Sequence, residues 1–199
     1  MSAHLYIEGA ESKEDQIRCR EGFRKLLEKS GFAGKMPRLS ACGSRNSAFD
    51  DFKTAFANVK AGHFVAMLID SEDPVTDADQ TWAHLKNRDN WEKPKGVDNR
   101  QVLFMTTCME SWIVADRETL KQHYGHKLQE SALPPLTDNL ERLGRSDVYE
   151  KLATATRECS NAYKKGKRSF VVLGELNVSV LESLLPSFAR IKKILSERL

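Results

Sequence analysis

The stretch HFVAMLID at positions 63–70 decides the fold, because it is the most apolar run in the middle of the chain and ends in a carboxylate. Six consecutive apolar residues are far fewer than the roughly 18–20 that cross a bilayer. An unbroken run of this length is typical of a strand that is buried on both faces, as in the middle of a parallel sheet. We therefore predict a central strand over residues 63–69, followed directly by Asp70.

Strand-like and helix-like segments alternate on both sides of this run. Short apolar runs predict further strands at residues 4–7, 37–42 and 102–105. Apolar residues at spacings of three and four predict helices at residues 12–30, from the turn at 43–46 to about 61, a short one near Trp82, and 109–124. The alternation indicates an α/β fold with a mainly parallel central sheet flanked by helices.

The last third of the chain has a different pattern. Helical periodicity covers residues 146–162 and 178–199, and Pro186 divides the second segment into two pieces. We expect residues 1–125 to form the α/β core and residues 126–199 a mostly helical extension that packs on it. The whole chain would then be one compact domain.

Composition excludes several classes of protein. The 199 residues are 40% hydrophobic and 30% charged, which supports a packed core and argues against global disorder. The 31 basic and 28 acidic residues leave a net charge of +3, too small to indicate a nucleic-acid partner by itself. No GxxxxGK[ST] or GxSxG motif occurs, so we do not expect this chain to be an ATPase or a serine hydrolase.

The cysteines and the N-terminal segment point to a cytoplasmic protein. The four cysteines lie far apart without a CxxC pair, which argues against a cysteine zinc site and a disulfide framework. The opening MSAHLYIEGAESKED lacks the basic start and long apolar stretch of a signal peptide. We therefore expect reduced thiols, a cytoplasmic location and no association with a membrane.

Acidic residues follow three of the predicted strands. Glu8 comes after the first strand, Asp70, Glu72 and Asp73 follow the central strand, and Glu110 begins the helix after the fourth. Because ligands gather at the carboxyl ends of parallel strands, we expect these groups to converge on one edge of the sheet. The alternative for each acid is a helix cap or a solvated loop residue.

A convergent set of carboxylates favours a hard divalent cation. Clustered carboxylates raise one another's pKa, so several can stay ionised at pH 7 only beside cations. Oxygen ligands alone select Mg²⁺ or Mn²⁺, which commonly bind a few carboxylates together with phosphate oxygens of a substrate. Such an ion can polarise a phosphodiester and generate a hydroxide nucleophile.

Four segments give the chain a resemblance to the topoisomerase–primase (Toprim) domain. These are YIEGAE at positions 6–11, LIDSE at 68–72, CMESW at 108–112 and KGKRSF at 165–170. The closest resemblance is to small Toprim-like proteins that accompany ATPases in bacterial anti-phage defence loci. It covers most of the chain, with the Toprim-like Rossmannoid core in about the first 125 residues.

The resemblance implies Mg²⁺-dependent cleavage of phosphodiester bonds in DNA or RNA, as the effector partner of a separate ATPase. Glu8 matches the family glutamate, a general acid/base or metal ligand, and Asp70 and Glu72 match the acidic pair that holds metal. The usual pair is Asp-x-Asp, so the longer Glu72 is a departure and Asp73 is an alternative partner for Asp70. Glu110 supports or completes the site.

Basic residues supply candidate phosphate ligands. Arg45 lies in a turn after the second strand, at the expected edge of the site, and Lys165, Lys167 and Arg168 belong to the densest basic cluster. We predict that these four side chains bind phosphate or nucleic acid, with a solvated loop as the alternative for the cluster.

Two other functions compete with the nuclease. A non-catalytic subunit that binds and regulates an ATPase would explain the Asp-x-Glu departure, and a metal-dependent phosphatase or nucleotide hydrolase would use the same acids on a small molecule. The sequence leaves the oligomeric state open and gives no preference between DNA and RNA.

Overall fold

The computed structural model describes residues 2–9, 11–136 and 139–199. Its centre is a four-stranded sheet in the order β2-β1-β3-β4, with every neighbouring pair parallel. The strands are β1 (Ser2–Ile7), β2 (Arg38–Ala41), β3 (His63–Asp70) and β4 (Val102–Met105). All residues of β3 except His63 are buried, which confirms the strand predicted from the apolar run.

Helices cover both faces of this sheet. They are α1 (Lys13–Leu27), α2 (Arg45–Ala57), α3 (Thr81–Asp89), α4 (Met109–Ala115), α5 (Arg117–Tyr124), α6 (Arg145–Thr156), α7 (Lys167–Glu175), α8 (Val178–Leu184) and α9 (Pro186–Arg198). A π-helical turn at Glu28–Phe32 extends α1, and short 3₁₀ turns connect other elements. The predicted α/β class with a parallel sheet flanked by helices is confirmed.

Side chains of β3 alternate between two hydrophobic clusters, as the two-residue period of a strand requires. Ala66 and Leu68 belong to a large cluster that also contains residues of α1 and of α4 to α9, whereas Met67 and Ile69 belong to a smaller one with α2 and α3. The C-terminal helices therefore share one core with β1, β3 and α1.

The structure differs from the sequence prediction at four helices. The helix predicted to reach about residue 61 ends at Ala57. The predicted helix over 109–124 breaks at Asp116, whose carboxylate accepts hydrogen bonds from Thr119 N–H at 3.1 Å and from Asn177 N–H at 2.7 Å. The helix predicted to reach residue 162 ends at Thr156, whose hydroxyl oxygen accepts a hydrogen bond from Tyr163 N–H at 3.0 Å. Helix α7 was not predicted, because its first residues belong to the basic cluster and its N-cap is a glycine.

In the described ranges, no helix has both the length and the apolar character that crossing a bilayer requires.

Helix α7 packs closely on α1 at Gly22. A Cβ atom at this position would lie 2.4 Å from the carbonyl oxygen of Phe170, a backbone atom of α7. One turn further along α7, the nearest atom to a Cβ on Gly174 would be the Cδ of Lys25, at 3.2 Å, and that side chain can move. The Gly22 Cα and the Lys25 Cβ would both lie at 3.5 Å, an ordinary contact distance. Glycine at position 22 therefore sets how closely α7, and the basic cluster at its start, approaches the sheet.

We predict that Gly22→Ala lowers the free energy of unfolding by about 1–3 kcal/mol, because the added methyl group forces α7 away from α1. Gly174→Ala is the matched control and should be neutral or slightly stabilising, since alanine is the better helix former. Denaturant unfolding of both variants tests this. Equal stability of the two variants would contradict the close crossing.

Candidate metal centre

Three of the predicted acids meet at the carboxyl edge of the sheet. Glu8 follows β1 directly, Asp70 ends β3, and Glu72 lies two residues further on. Because β1 and β3 are neighbouring parallel strands with Ile7 opposite Leu68, their ends lie side by side. One carboxylate oxygen from each of the three acids lies within 4.8 Å of the others.

Backbone hydrogen bonds fix the first two carboxylates. Glu8 Oε2 accepts from the backbone N–H of Asp70 at 3.1 Å, so the side chain that follows β1 is held against β3. Asp70 Oδ1 accepts from the backbone N–H of Met109 at 2.9 Å, at the first residue of α4. The Asp70 carboxyl group therefore lies where the dipole of a helix N-terminus favours its ionised form.

Glu72 owes its position to a tight loop. Its φ angle is +69°, a left-handed conformation that costs energy for a residue with a side chain. Two bonds to the loop after β4 hold it there: Glu72 N–H donates to Thr107 O at 2.9 Å, and Thr107 N–H donates to Ser71 Oγ at 2.7 Å. This strained turn directs residue 72, two positions beyond the strand, back to the sheet edge.

Burial and neighbouring charges shift the pKa values of Asp70 and Glu8. Burial raises the pKa of Asp70 to about 8, with further increases from the nearby carboxylates of Glu8 and Glu110, while Arg145 and Lys165 oppose the shift. Burial also raises the pKa of Glu8, and the Arg45 guanidinium is the largest opposing influence. Full ionisation of this cluster at neutral pH therefore needs more positive charge than the described side chains supply.

Each of the three guanidinium nitrogens of Arg45 donates to a protein group. Its Nε and Nη2 donate to the two carboxylate oxygens of Asp89 at 3.3 and 2.8 Å, and its Nη1 donates to the backbone carbonyl of Asp70 and lies 3.7 Å from Glu8 Oε2. The guanidinium also stacks on Trp91, 5.0 Å from the ring centroid. In this arrangement Arg45 ties α2 to the ends of β1 and β3.

Glu72 is paired with two arginines that sequence reasoning missed. Arg145, the first residue of α6, donates to Glu72 Oε2, and Arg88 of α3 lies 3.7 Å from the same oxygen. No motif marked these residues, because α3 and α6 come to the sheet edge only through tertiary packing.

Glu110 lies on the same cleft but outside the group of three. Its side chain is buried and is held by a 2.6 Å hydrogen bond from the Tyr163 hydroxyl, and Lys165 Nζ lies 3.5 Å from the same Oε1 atom. Negative charge on Glu110 raises the pKa of Asp70, so the two carboxylates are near neighbours. Its predicted role as a metal ligand stays a prediction.

The other predicted site residues, Asp73, Lys167 and Arg168, contact groups other than the three clustered acids. The Asp73 side chain is 67% exposed and pairs with Arg88 Nε at 3.2 Å. Lys167 Nζ pairs with Glu14 at 2.7 Å, and Arg168 Nη1 donates to the carbonyl of Ala162 at 3.0 Å. Among the described side chains, Glu72 rather than Asp73 joins Asp70 and Glu8 in the group that fits one ion.

An open cleft of about 500 Å³ lies beside this group. Its lining includes Glu8, Asp70 and Glu110, together with Arg145 and Lys165 from the C-terminal extension. Acidic and basic side chains thus face a single space that is accessible to solvent.

The oxygen-only donor set fits a hard divalent cation. At metal–oxygen distances of about 2.0–2.1 Å for Mg²⁺, two ligands on opposite sides of the ion lie about 4 Å apart. Ligands at right angles lie only about 3 Å apart, so three oxygens within 4.8 Å of one another must draw closer together to share one ion directly, or bind it in part through water. Protonation competes with such binding, because the ligating carboxylates have to be ionised.

We predict that Asp70→Asn stabilises the protein in the absence of divalent cations. A carboxyl whose pKa is raised from 3.8 to about 8 on folding contributes stability at low pH that is lost as the pH rises between these values, and asparagine has no such loss. The variant should therefore gain stability relative to the natural chain between pH 5 and pH 8 in EDTA, as measured by denaturant unfolding.

The control for this prediction is Asp50→Asn on the exposed face of α2, which should show no such trend. A difference between Asp70→Asn and the natural chain that does not change with pH would contradict the raised pKa.

Comparison with known proteins gives one match. No curated protein and no solved structure matches the chain. The profile of a family described as "Domain of unknown function (DUF4276)" matches residues 10–195, which is nearly the whole chain and includes Asp70, Glu72, Glu110 and Arg145. The chain belongs to the DUF4276 family.

Proposed function

We propose that this protein is a Mg²⁺-dependent nuclease that cleaves phosphodiester bonds of DNA or RNA. The observation that carries the proposal is the convergence of Glu8, Asp70 and Glu72 to within 4.8 Å at the edge of a cleft that also presents basic side chains. Mn²⁺ would serve in place of Mg²⁺, because the donor set is the same.

We assign each residue of the site a separate role in this reaction. Asp70 and Glu72 hold the ion, which when bound supplies Lewis-acid activation of a phosphate oxygen and a water nucleophile. Glu8 binds the ion or takes the proton of the attacking water, a role favoured by its raised pKa. Arg45 positions Glu8 and Asp70 through the contacts it makes to both.

The biological setting of this activity is proposed on the resemblance alone. The Toprim-like pattern supports action in the cytoplasm as the effector of a separately encoded ATPase in anti-phage defence. This setting requires no membrane segment.

A second candidate is a non-catalytic subunit that regulates an ATPase. The observation that favours it is the state of Glu72, which forms ion pairs with Arg145 and Arg88 and replaces the aspartate of the usual acidic pair. If those pairs persist in solution with Mg²⁺ present, the acidic group is a structural network and not a metal centre.

We predict that the purified chain degrades DNA or RNA in Mg²⁺ and not in EDTA, and that Glu8→Gln and Asp70→Asn each lower the rate by about 100-fold or more. Both substitutions are nearly isosteric, so the cleft keeps its shape while a charge is lost. Asp50→Asn is the matched control and should keep full activity.

The assay uses supercoiled plasmid, single-stranded DNA and single-stranded RNA, each with and without the separately encoded ATPase that we propose as the partner. If every substrate stays intact under all conditions while the chain alters ATP hydrolysis by that partner, the regulatory function is correct. Hydrolysis of a nucleotide or phosphomonoester alone would instead indicate a small-molecule phosphatase.

A further inference from the structure

Three basic side chains of the described residues line the cleft, and they are not equivalent. Arg45 is 12% exposed and directs its guanidinium nitrogens to Asp89, the Asp70 carbonyl and Glu8. Arg145 and Lys165 are 36% and 46% exposed and come from the C-terminal extension. Arg145 and Lys165 are therefore the more exposed of the three basic side chains that line the cleft.

Arg145 lies close to the acidic group. Its Nη1 donates to Glu72, and its positive charge lowers the pKa of both Glu8 and Asp70. Within residues 2–9, 11–136 and 139–199, no hydrogen-bond partner occurs for its Nε or Nη2. A guanidinium with two such donors can bind two oxygens of one phosphate.

Lys165 is positioned by groups that are themselves fixed. Its Nζ lies 3.5 Å from Glu110 Oε1, and that oxygen accepts the 2.6 Å hydrogen bond from the buried Tyr163 hydroxyl. The ammonium also lies 5.4 Å from the ring centroid of Tyr149. Its charge lowers the pKa of Glu8 and Asp70, so it acts on the same space as Arg145.

We propose that Arg145 and Lys165 bind the substrate phosphate, beside the carboxylates that bind the metal. This inference rests on the proposed function. Next to an ion that would polarise one oxygen of a phosphodiester, these two cations would neutralise the other oxygens and the charge that develops on them. The extension of residues 126–199 thereby supplies the substrate-binding half of the site.

Of the basic cluster predicted from the sequence, the proposal assigns phosphate binding to Lys165 alone. Lys167 and Arg168 do not line the cleft, and their charged groups contact Glu14 and the Ala162 carbonyl. They are expected to contribute little to phosphate binding. Lys167, two residues from Lys165 in the same segment, is therefore the matched control.

The test measures binding without turnover. Fluorescently labelled single-stranded DNA and RNA are titrated with the natural chain and with Arg145→Gln, Lys165→Gln and Lys167→Gln in Ca²⁺, over a series of salt concentrations. We expect Arg145→Gln and Lys165→Gln each to weaken binding by about tenfold or more. Each should also reduce the slope of log affinity against log salt by about one, which a merely structural role would not do. Lys167→Gln should stay within about twofold.

Metal binding by the same variants separates this inference from the proposed function. Arg145→Gln should bind Mg²⁺ as tightly as the natural chain or more tightly, because Glu72 loses a competing cation. Arg145→Lys should recover part of the affinity for the labelled strands, since the charge is restored without the two-donor geometry.

Three results would overturn the inference. These are strand affinities within twofold of the natural chain for Arg145→Gln and Lys165→Gln, a loss of Mg²⁺ binding in Arg145→Gln, and a natural chain that binds no labelled strand. In the first and third cases, Mg²⁺ binding by the natural chain would leave the metal centre itself standing. A natural chain without Mg²⁺ binding would instead refute the proposed function.

Discussion

The candidate site depends on one buried carboxylate. Asp70 closes the longest strand of the sheet, of which every residue but His63 is buried. Its backbone N–H donates to Glu8, and its side chain accepts a hydrogen bond from the first residue of α4. These bonds join β1, β3 and α4 at one point. Because burying an anion is costly without compensating charge, the fold retains Asp70 there at the expense of stability. Binding a cation would recover that free energy.

The C-terminal extension completes this arrangement. Arg145 reaches Glu72 from α6, and Lys165 reaches Glu110 from the segment before α7. The positions of Arg145 and Lys165 both depend on packing of the extension against the core. The close crossing of α1 and α7 at Gly22 positions the segment that carries Lys165. The extension therefore shapes the charge of the cleft as well as covering the sheet.

Periodicity and strand ends predicted the sheet and the acids that gather at its edge. The apolar run 63–69 identified β3, and the rule that parallel strands end at one edge brought Glu8 to Asp70. The position of Glu72 was also expected from its resemblance to an acidic pair, but its left-handed backbone was not, because no glycine or asparagine marks that turn.

Sequence patterns do not predict other parts of the site. Arg45 resembles a phosphate ligand in a turn, yet Asp89, 44 positions away, accepts two hydrogen bonds from its guanidinium. Arg145 stands in no motif, and only the docking of α6 brings it to Glu72. Contacts of this kind depend on how distant elements pack, which local propensity and spacing do not report.

The most direct test of the central claim is to locate the metal. A crystal grown or soaked with Mn²⁺ should give an anomalous difference peak within about 2.0–2.2 Å of carboxylate oxygens of Asp70 and at least one of Glu8 and Glu72. An occupied Mn²⁺ site elsewhere on the molecule, with Arg145 still paired to Glu72 and no peak beside Asp70, would contradict it.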